Sequence, residues 1–467
     1  MRIPDSRIGA RPIFQASAGT NIPGNRCGLP SRCRRIFAAL FALMCLSLSA
    51  PKAQSSDRAQ TKATPIQKPA TAPLLAQADE VLQEMSKLTG LPIKEPVNKK
   101  VASRAEIRKL LLHNLHTDYN PQEIHVQEAT LQAFGLVSKD FDLQKFLISF
   151  YTEQAAGFYD PRTKTMYIAD WIPPDMQRMV LAHELTHALQ DQNFGLEHYM
   201  KAVKDDSDAE AARQAVVEGY ATASMFQSVL GGTPLSSLPN FSTVLGPLIR
   251  QQMTEFPVYS KAPFFFKLEA LFPYIQGAGF IEKGLRQGAW KSLNELFTSP
   301  PSSTKAIYQP EVYFDHTPLP AIELPRTTPL NSVPGLKLLD ENVMGQLGFN
   351  ELLGQFLSED KAADACAAWM GDRYIVYEDS ANQRYALVAR TRWANPDAAL
   401  VFFRDYHEVL TRKYPELSPD SRSAAERFIG HTASGEVIMI RAGDEVRWAE
   451  GVPANKVDAT LKWLVSL

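Results

Sequence analysis

The stretch His183-Glu184-Leu185-Thr186-His187 carries the clearest fold signal in this chain. Its surroundings, from Pro173 to about Gln192, have the pattern of one helix that stops near Gly195. Helical residues four apart share a face, so both imidazoles can reach one Zn²⁺ while Glu184 lies beside the open coordination position. A carboxylate there can take a proton from zinc-bound water, which then attacks a carbonyl. The motif therefore predicts one zinc ion per chain, with His183 and His187 as ligands and Glu184 as general base.

The third ligand determines the subclass of zinc site. The metzincin pattern requires Gly and His at positions where this chain has Gln190 and Asn193, so that pattern is excluded. Glu218 follows His187 by 31 residues in a second predicted helix, from about 206 to 229. Its neighbours on that helix are apolar, so a carboxylate there would be buried without need unless it binds something. We therefore predict Glu218 as the third ligand. The alternatives are a solvated Glu218, the weaker ligands Glu197, Glu210 and Asp208, and a supporting role behind a ligand for Asp208 or Arg213.

Beyond these residues, the chain resembles a known class of enzymes. The motif with Glu218-Gly219-x-Ala221 looks like a gluzincin-type zinc metallopeptidase. More closely, the chain is similar to uncharacterised exported bacterial HExxH proteins over most of residues 150–410. The shared stretches are 157–168, 183–192, Phe272-Pro273-Tyr274-x-x-Gly277-x-x-Phe280, Pro300-Pro301-x-Ser303-Thr304 and Trp369-x-Gly371-Asp372-Arg373-Tyr374. One departure is Gln309, which precedes Pro310-Glu311 where the resemblance leads us to expect His.

The resemblance implies a zincin fold and peptidase-like chemistry. It also implies a role for Tyr274, which belongs to a Tyr-x-x-Gly element like those that donate to the developing oxyanion in gluzincins. A tyrosine of the hydrophobic core is the alternative interpretation, and His198 and Tyr220 are lesser candidates for the donor. The segment 157–170 is predicted to be a β-hairpin. It could supply an edge strand for a peptide substrate or be an ordinary sheet edge.

The N-terminal region predicts export. Residues 1–53 hold eight Lys/Arg and one Asp, a net charge of +7. Since the whole chain has a net charge of −2, the residues after 53 carry −9. Arg32, Arg34 and Arg35 precede an apolar run and then small residues, which is the pattern of a secretory signal peptide. We therefore expect a periplasmic or extracellular protein, or a membrane-tethered one if the leader is not cleaved. The acidic body makes nucleic acid an unsuitable partner.

Composition changes along the chain predict five segments of an α+β protein. A mostly helical zincin-like catalytic domain with a small sheet would precede a C-terminal α+β domain. The segments are a basic leader and signal peptide (1–53), a disordered linker (54–73), the metallopeptidase domain (74–315), a Pro-rich junction (316–339) and the C-terminal domain (340–467). Cys366 stands alone outside the leader, in a helical pattern that favours a structural role.

Three functions remain compatible with the sequence. The first is an exported peptidase that acts on a peptide or protein substrate, with association with the cell envelope and an undetermined oligomeric state. The second is a zincin-fold envelope binding or assembly protein that cleaves nothing. The third is a zinc hydrolase of a different amide or ester. The intact Glu184 argues against the second, since a structural zinc site has no use for that carboxylate.

Overall fold

Helices dominate the chain up to Phe314, and antiparallel strands dominate after Lys337. The computed structural model describes residues 71–203, 206–238 and 241–467, which have the predicted α+β fold. The leader and the linker as far as residue 70 lie outside the described residues. The first helix begins at Thr71, so the last three residues of the predicted linker are helical. No helix in the described ranges is long and apolar enough to cross a membrane.

The first region has twelve helices and three strands among its described residues. They are α1 (Thr71–Thr89), β1 (Asn98–Ala102), α2 (Arg104–Asp118), α3 (Pro121–Phe134), α4 (Leu143–Gln154), β2 (Gly157–Asp160), β3 (Thr165–Ala169), α5 (Pro174–Phe194), α6 (Leu196–Lys201), α7 (Ser207–Val229), α8 (Phe241–Met253), α9 (Pro257–Lys261), α10 (Phe264–Gln287), α11 (Thr304–Tyr308) and α12 (Glu311–Phe314). Short 3-10 helices cover Leu235–Ser237 and Trp290–Phe297.

The small sheet contains the predicted hairpin, β2 and β3, and one strand that the sequence analysis missed. Its order is β1-β3-β2, with β1 parallel and β2 antiparallel to β3. The N–H of Ala169 donates to the carbonyl of Ala156. In an antiparallel ladder, the backbone groups of Gly157 and Tyr159 therefore point to the outer edge of β2. That edge faces α5, which carries the histidine motif.

The second region is built on one antiparallel sheet. Its elements are a 3-10 helix (Pro329–Ser332), β4 (Lys337–Asn342), α13 (Gly345–Phe356), α14 (Glu359–Cys366), β5 (Trp369–Asp379), β6 (Arg384–Trp393), α15 (Pro396–Lys413), β7 (Ser418–Pro419), β8 (Arg427–Thr432), β9 (Gly435–Ala442), β10 (Glu445–Val452), a 3-10 helix (Ala454–Lys456) and α16 (Val457–Ser466). The strand order is β4-β5-β6-β10-β9-β8-β7. The strand β4 begins inside the segment predicted as a junction.

One hydrophobic core extends through both regions. Its buried side chains run from Ala78 in α1 to Trp448 in β10, and α13 packs between α10 and the sheet. A smaller core, which includes Ile375, Val388 and Leu464, lies between the sheet and α16. Cys366 is buried in the larger core as a free thiol. The separation into a 74–315 domain and a 340–467 domain stays a prediction.

The helices α7 and α10 cross with almost no side chain between them. A Cβ built on Gly219 would lie 2.2 Å from the carbonyl carbon of Gly277, and one on Gly277 would lie 2.3 Å from the carbonyl oxygen of Ala215. Both positions therefore require glycine because backbone, rather than a mobile side chain, occupies the space. The crossing brings the turn of α7 that carries Glu218 next to the turn of α10 that carries Tyr274.

We expect the substitution Gly277→Ala to destabilise the protein by about 3 kcal/mol or more, because the two backbones must move apart. Equilibrium unfolding in urea measures the loss. Gly279→Ala is the matched control on the same helix, since its Cβ would meet only the Ser242 side chain, at 3.1 Å. A control that loses as much stability as Gly277→Ala would contradict this account of the crossing.

Two shared sequence stretches meet at the beginning of α7. Asp208 accepts hydrogen bonds from the backbone N–H of Thr304, at 2.9 Å, and from its hydroxyl. Asp372 accepts hydrogen bonds from the N–H groups of Met344 and Gly345, both at 2.9 Å, at the start of α13. A Cβ on Gly345 would overlap the Asp208 carboxylate, so both carboxylates approach the same backbone turn. Burial raises the pKa of Asp372 to about 7, and the charges of Asp208 and Asp206 add to that effect.

Candidate metal centre

The two motif histidines lie in the middle of α5, as predicted. α5 has Pro174 in its first turn and ends at Phe194, followed by Gly195, whose φ of 68° is in the left-handed region that glycine favours. His183 and His187 are one turn apart, with ring centroids 4.6 Å apart and ring planes at 87°. Both side chains are buried. The helix therefore directs two imidazoles to one point in the interior.

Glu218 from α7 completes a group of three donor atoms. The Nε2 atoms of His183 and His187 are 3.0 Å apart, and Glu218 Oε2 is 3.2 Å from the first and 3.3 Å from the second. Ligands that bind a tetrahedral Zn²⁺ at about 2.0–2.1 Å stand about 3.3 Å from one another, so these separations fit the metal. Within the described parts of the chain, this is the one group of three or more His, Cys, Asp or Glu residues that could hold an ion. The donor set is two imidazole nitrogens and one carboxylate oxygen, which suits zinc.

The electrostatics of the group favour a bound cation. Burial lowers the pKa of His183. Burial alone would raise the pKa of Glu218, but the two histidines outweigh it and hold that pKa at about 2. Burial alone would lower the pKa of His187, but the Glu218 carboxylate outweighs this effect and raises that pKa to about 9. A buried, ionised carboxylate thus requires a positive charge beside it, which a proton or a divalent ion can provide.

Glu184 lies next to the three donors and is held from the small sheet. Its carboxylate accepts a hydrogen bond from the backbone N–H of Tyr159, on the outer edge of β2. A Cβ on Gly157 would lie 3.5 Å from Glu184 Cγ, so β2 packs directly on this side chain. Burial raises the pKa of Glu184 to about 8. This contact could not be predicted from the sequence, because no local pattern indicates which strand faces a given helix.

Tyr274 is also at the site. Its ring stacks on the His183 ring at a centroid distance of 6.0 Å, and its phenol donates a hydrogen bond to Glu218. Burial raises the pKa of Tyr274 well above its usual value, so the phenol keeps its proton. The residue is both a buried core tyrosine and a neighbour of the donor group. Its role as an oxyanion donor stays a prediction.

Gln190, which the sequence marked only as a departure from the metzincin pattern, contacts a candidate ligand. Its side-chain N–H donates to the Val217 carbonyl at 3.0 Å, which turns its oxygen towards His187. His187 Nδ1–H therefore donates to Gln190 Oε1, at 2.8 Å, and Nε2 is left to bind a metal. An amide three residues after the second histidine, on the same helix face, is the signal that could have identified it.

We expect Gln190→Leu to weaken zinc affinity by about 10- to 100-fold, because His187 loses the partner that fixes its tautomer and orientation. Competition against a chromophoric zinc chelator measures the dissociation constant. Gln192→Leu is the control on the same helix, since Gln192 contacts the backbone of Lys94 and Glu95 at the surface. Equal affinities for the Gln190→Leu and unaltered proteins would remove Gln190 from this role.

A second set of contacts fixes β2 against α5. Asp191 accepts hydrogen bonds from the Tyr159 phenol at 2.9 Å and from Lys164 Nζ at 2.6 Å, and from the backbone N–H of Leu196 at 3.1 Å. The hairpin, the motif helix and α6 are therefore held together by one buried carboxylate. This arrangement keeps the edge of β2 in place beside Glu184.

Several weaker sequence candidates lie elsewhere. Asp208 bonds Thr304, and Arg213 donates to the Tyr199 carbonyl at 3.0 Å. Glu197 pairs with Lys201, and His198 is exposed. Tyr220 packs against Trp290 and Phe297. Gln309 donates to the Ala367 carbonyl at 2.8 Å, so it serves as a contact with the second region.

Comparison with known families gives two partial matches. The peptidase model described as IrrE N-terminal-like domain, Peptidase M78, matches residues 138–225, a range that contains His183, Glu184, His187 and Glu218 but not Tyr274. A domain of unknown function, DUF8575, matches residues 336–461, from just before β4 into α16. No curated protein and no solved structure matches the chain. The part of the chain that holds the candidate metal centre is therefore similar to a zinc-metallopeptidase-like family.

Proposed function

We propose that this chain is an exported, gluzincin-like metallopeptidase that holds one zinc ion through His183, His187 and Glu218 and hydrolyses peptide bonds. The observation that carries the proposal is the convergence of the three donor atoms within 3.0–3.3 Å of one another, with Glu184 beside them. When bound there, zinc would lower the pKa of water and polarise a substrate carbonyl. The basic leader before an apolar run supports export.

In this proposal, Glu184 accepts the proton of the attacking water and later gives it to the leaving amine. Its position supports this role, because the Glu184 carboxylate lies beside the three donor atoms, within reach of water that a bound zinc would hold. The N–H of Tyr159 fixes the orientation of the carboxylate. The Tyr274 phenol, which stays protonated, can donate to the oxyanion that develops on the carbonyl.

The outer edge of β2 is the proposed binding site for an extended peptide. Gly157 directs its backbone groups to that edge, next to Glu184, so an added strand would place its backbone beside the general base. The net charge of −9 outside the leader supports a peptide or protein substrate over nucleic acid. The presence of Glu184 in this position supports hydrolysis over a purely structural metal site.

Metal analysis of the mature protein, together with cleavage of a denatured protein with and without a zinc chelator, tests the proposal. We expect about one zinc per chain, proteolysis without chelator, and recovery of proteolysis when zinc is restored. Absence of both metal and cleavage would overturn the proposal that this chain is an enzyme. Zinc without proteolysis would favour one of the alternatives: turnover of small amides or esters indicates a different hydrolase, and no turnover indicates a binding or assembly protein.

A further inference from the structure

One carboxylate oxygen of α10 is buried near the candidate metal centre without a hydrogen-bond partner among the described residues. Glu269 is 4% exposed, and its Oε2 has no hydrogen-bond partner among the described residues. Neither oxygen of Glu269 forms an ion pair with a described Lys, Arg or His. A buried carboxylate without a partner is costly, and proteins retain such groups where something else binds them.

A second acceptor lies at the end of α4. Gln154 is 5% exposed, and its Nε2 donates to the Phe150 carbonyl at 3.0 Å. That bond leaves Gln154 Oε1 buried and without a partner in the described structure. The Tyr151 phenol lies on the same helix as Gln154, one turn away, and within electrostatic range of Glu269 on α10.

Both helices lead directly to the candidate active site. α4 ends at Gln154, three residues before Gly157, which packs against Glu184. On α10, Glu269 precedes Tyr274 by five residues, about 7.5 Å along the helix axis. The Tyr151 phenol lies within electrostatic range of both Glu269 and Tyr274. Both acceptors therefore lie on segments that reach the site proposed for the scissile bond.

We propose that Glu269 and Gln154 form a subsite for a positively charged group of the substrate, either a Lys or Arg side chain or a free amino terminus. Two oxygen acceptors, one of them anionic, are complementary to an ammonium or guanidinium donor, and a charge-assisted hydrogen bond in a buried site is strong. The inference rests on the proposed function and gives it a substrate class: peptides with a cationic residue at or next to the cleaved bond.

Matched peptides test the subsite on the zinc-loaded protein. One pair is acetylated at the amino terminus and differs only in Arg against citrulline, which has the same shape without the charge. A second pair lacks Lys and Arg and differs only in a free against an acetylated amino terminus. We expect kcat/KM to favour the charged member of one pair by at least tenfold. Glu269→Gln should reduce that preference to less than threefold, and Gln154→Leu should reduce it in part. Glu282→Gln, on the same helix, should keep it.

Binding and stability provide readouts that do not depend on turnover. In the Glu184→Gln background, fluorescence anisotropy of the labelled peptides should show the same charge preference, and Glu269→Gln should remove it. Glu269→Met should raise the melting temperature, since an apolar side chain of similar size ends the cost of the unpaired carboxylate. Equal kcat/KM and equal binding for both members of each pair would overturn the proposed subsite. A charge preference that survives Glu269→Gln would also overturn it. Charge-selective binding without cleavage would overturn the proposed peptidase and leave the subsite standing.

Discussion

Replacing Glu184 by Gln should reduce peptide hydrolysis by about 10³-fold or more while zinc content stays at the level of the unaltered protein. Gln has the shape of Glu and can still accept the hydrogen bond from Tyr159, but it cannot take a proton from water. Since Glu184 lies beside the donor group without belonging to it, the three ligand atoms should remain in place. Cleavage rates of a quenched fluorescent peptide and metal analysis of the same preparation measure the two effects.

The matched control for this substitution is Glu282→Gln. Glu282 is also a buried helical carboxylate, but it pairs with Arg286 at 2.6 Å on α10. The Glu282→Gln protein should retain peptide hydrolysis. Hydrolysis that persists in Glu184→Gln would show that another group accepts the proton. Loss of zinc together with activity would place Glu184 among the groups that hold the metal, contrary to the arrangement proposed for it.

The sequence predicted the motif helix and the third donor for local reasons. α5 contains its polar motif residues at helical spacing between a proline start and a glycine stop, so its existence follows from nearby residues. Glu218 was identified because its own helix is apolar around it, and the structure indeed buries it beside the histidines. Both inferences use information within one helix. They required no knowledge of how the helices pack.

Features that depend on distant contacts were missed for the same reason. β1 has the polar sequence Asn98-Lys99-Lys100-Val101-Ala102 and becomes a strand only because it pairs in parallel with β3. The contact of the Tyr159 N–H with Glu184 depends on which edge of the hairpin faces α5. The sequence contains the two glycines of the α7–α10 crossing, but nothing in it indicates that Gly219 and Gly277 meet in the fold.

Glu218→Ala should reduce zinc content from about one per chain to near zero after dialysis, with an affinity loss of at least 100-fold. The substitution removes the only anionic donor and leaves two histidines, which bind zinc more weakly than a three-donor site. A ligand that binds the folded state at 100 times its dissociation constant stabilises that state by about 2.7 kcal/mol. Added zinc should therefore raise the melting temperature of the unaltered protein and leave that of Glu218→Ala unchanged.

The control for this experiment is Glu197→Ala, because Glu197 was a weaker ligand candidate and the structure pairs it with Lys201 at the surface. It should keep full zinc content and the full thermal response. Circular dichroism separates loss of metal from loss of fold: Glu218→Ala should retain the helical spectrum, because α7 remains packed against α10 through Gly219. Unchanged zinc stoichiometry in Glu218→Ala would remove Glu218 from the donor set. A loss in Glu197→Ala would instead move the third ligand to the segment just after α5.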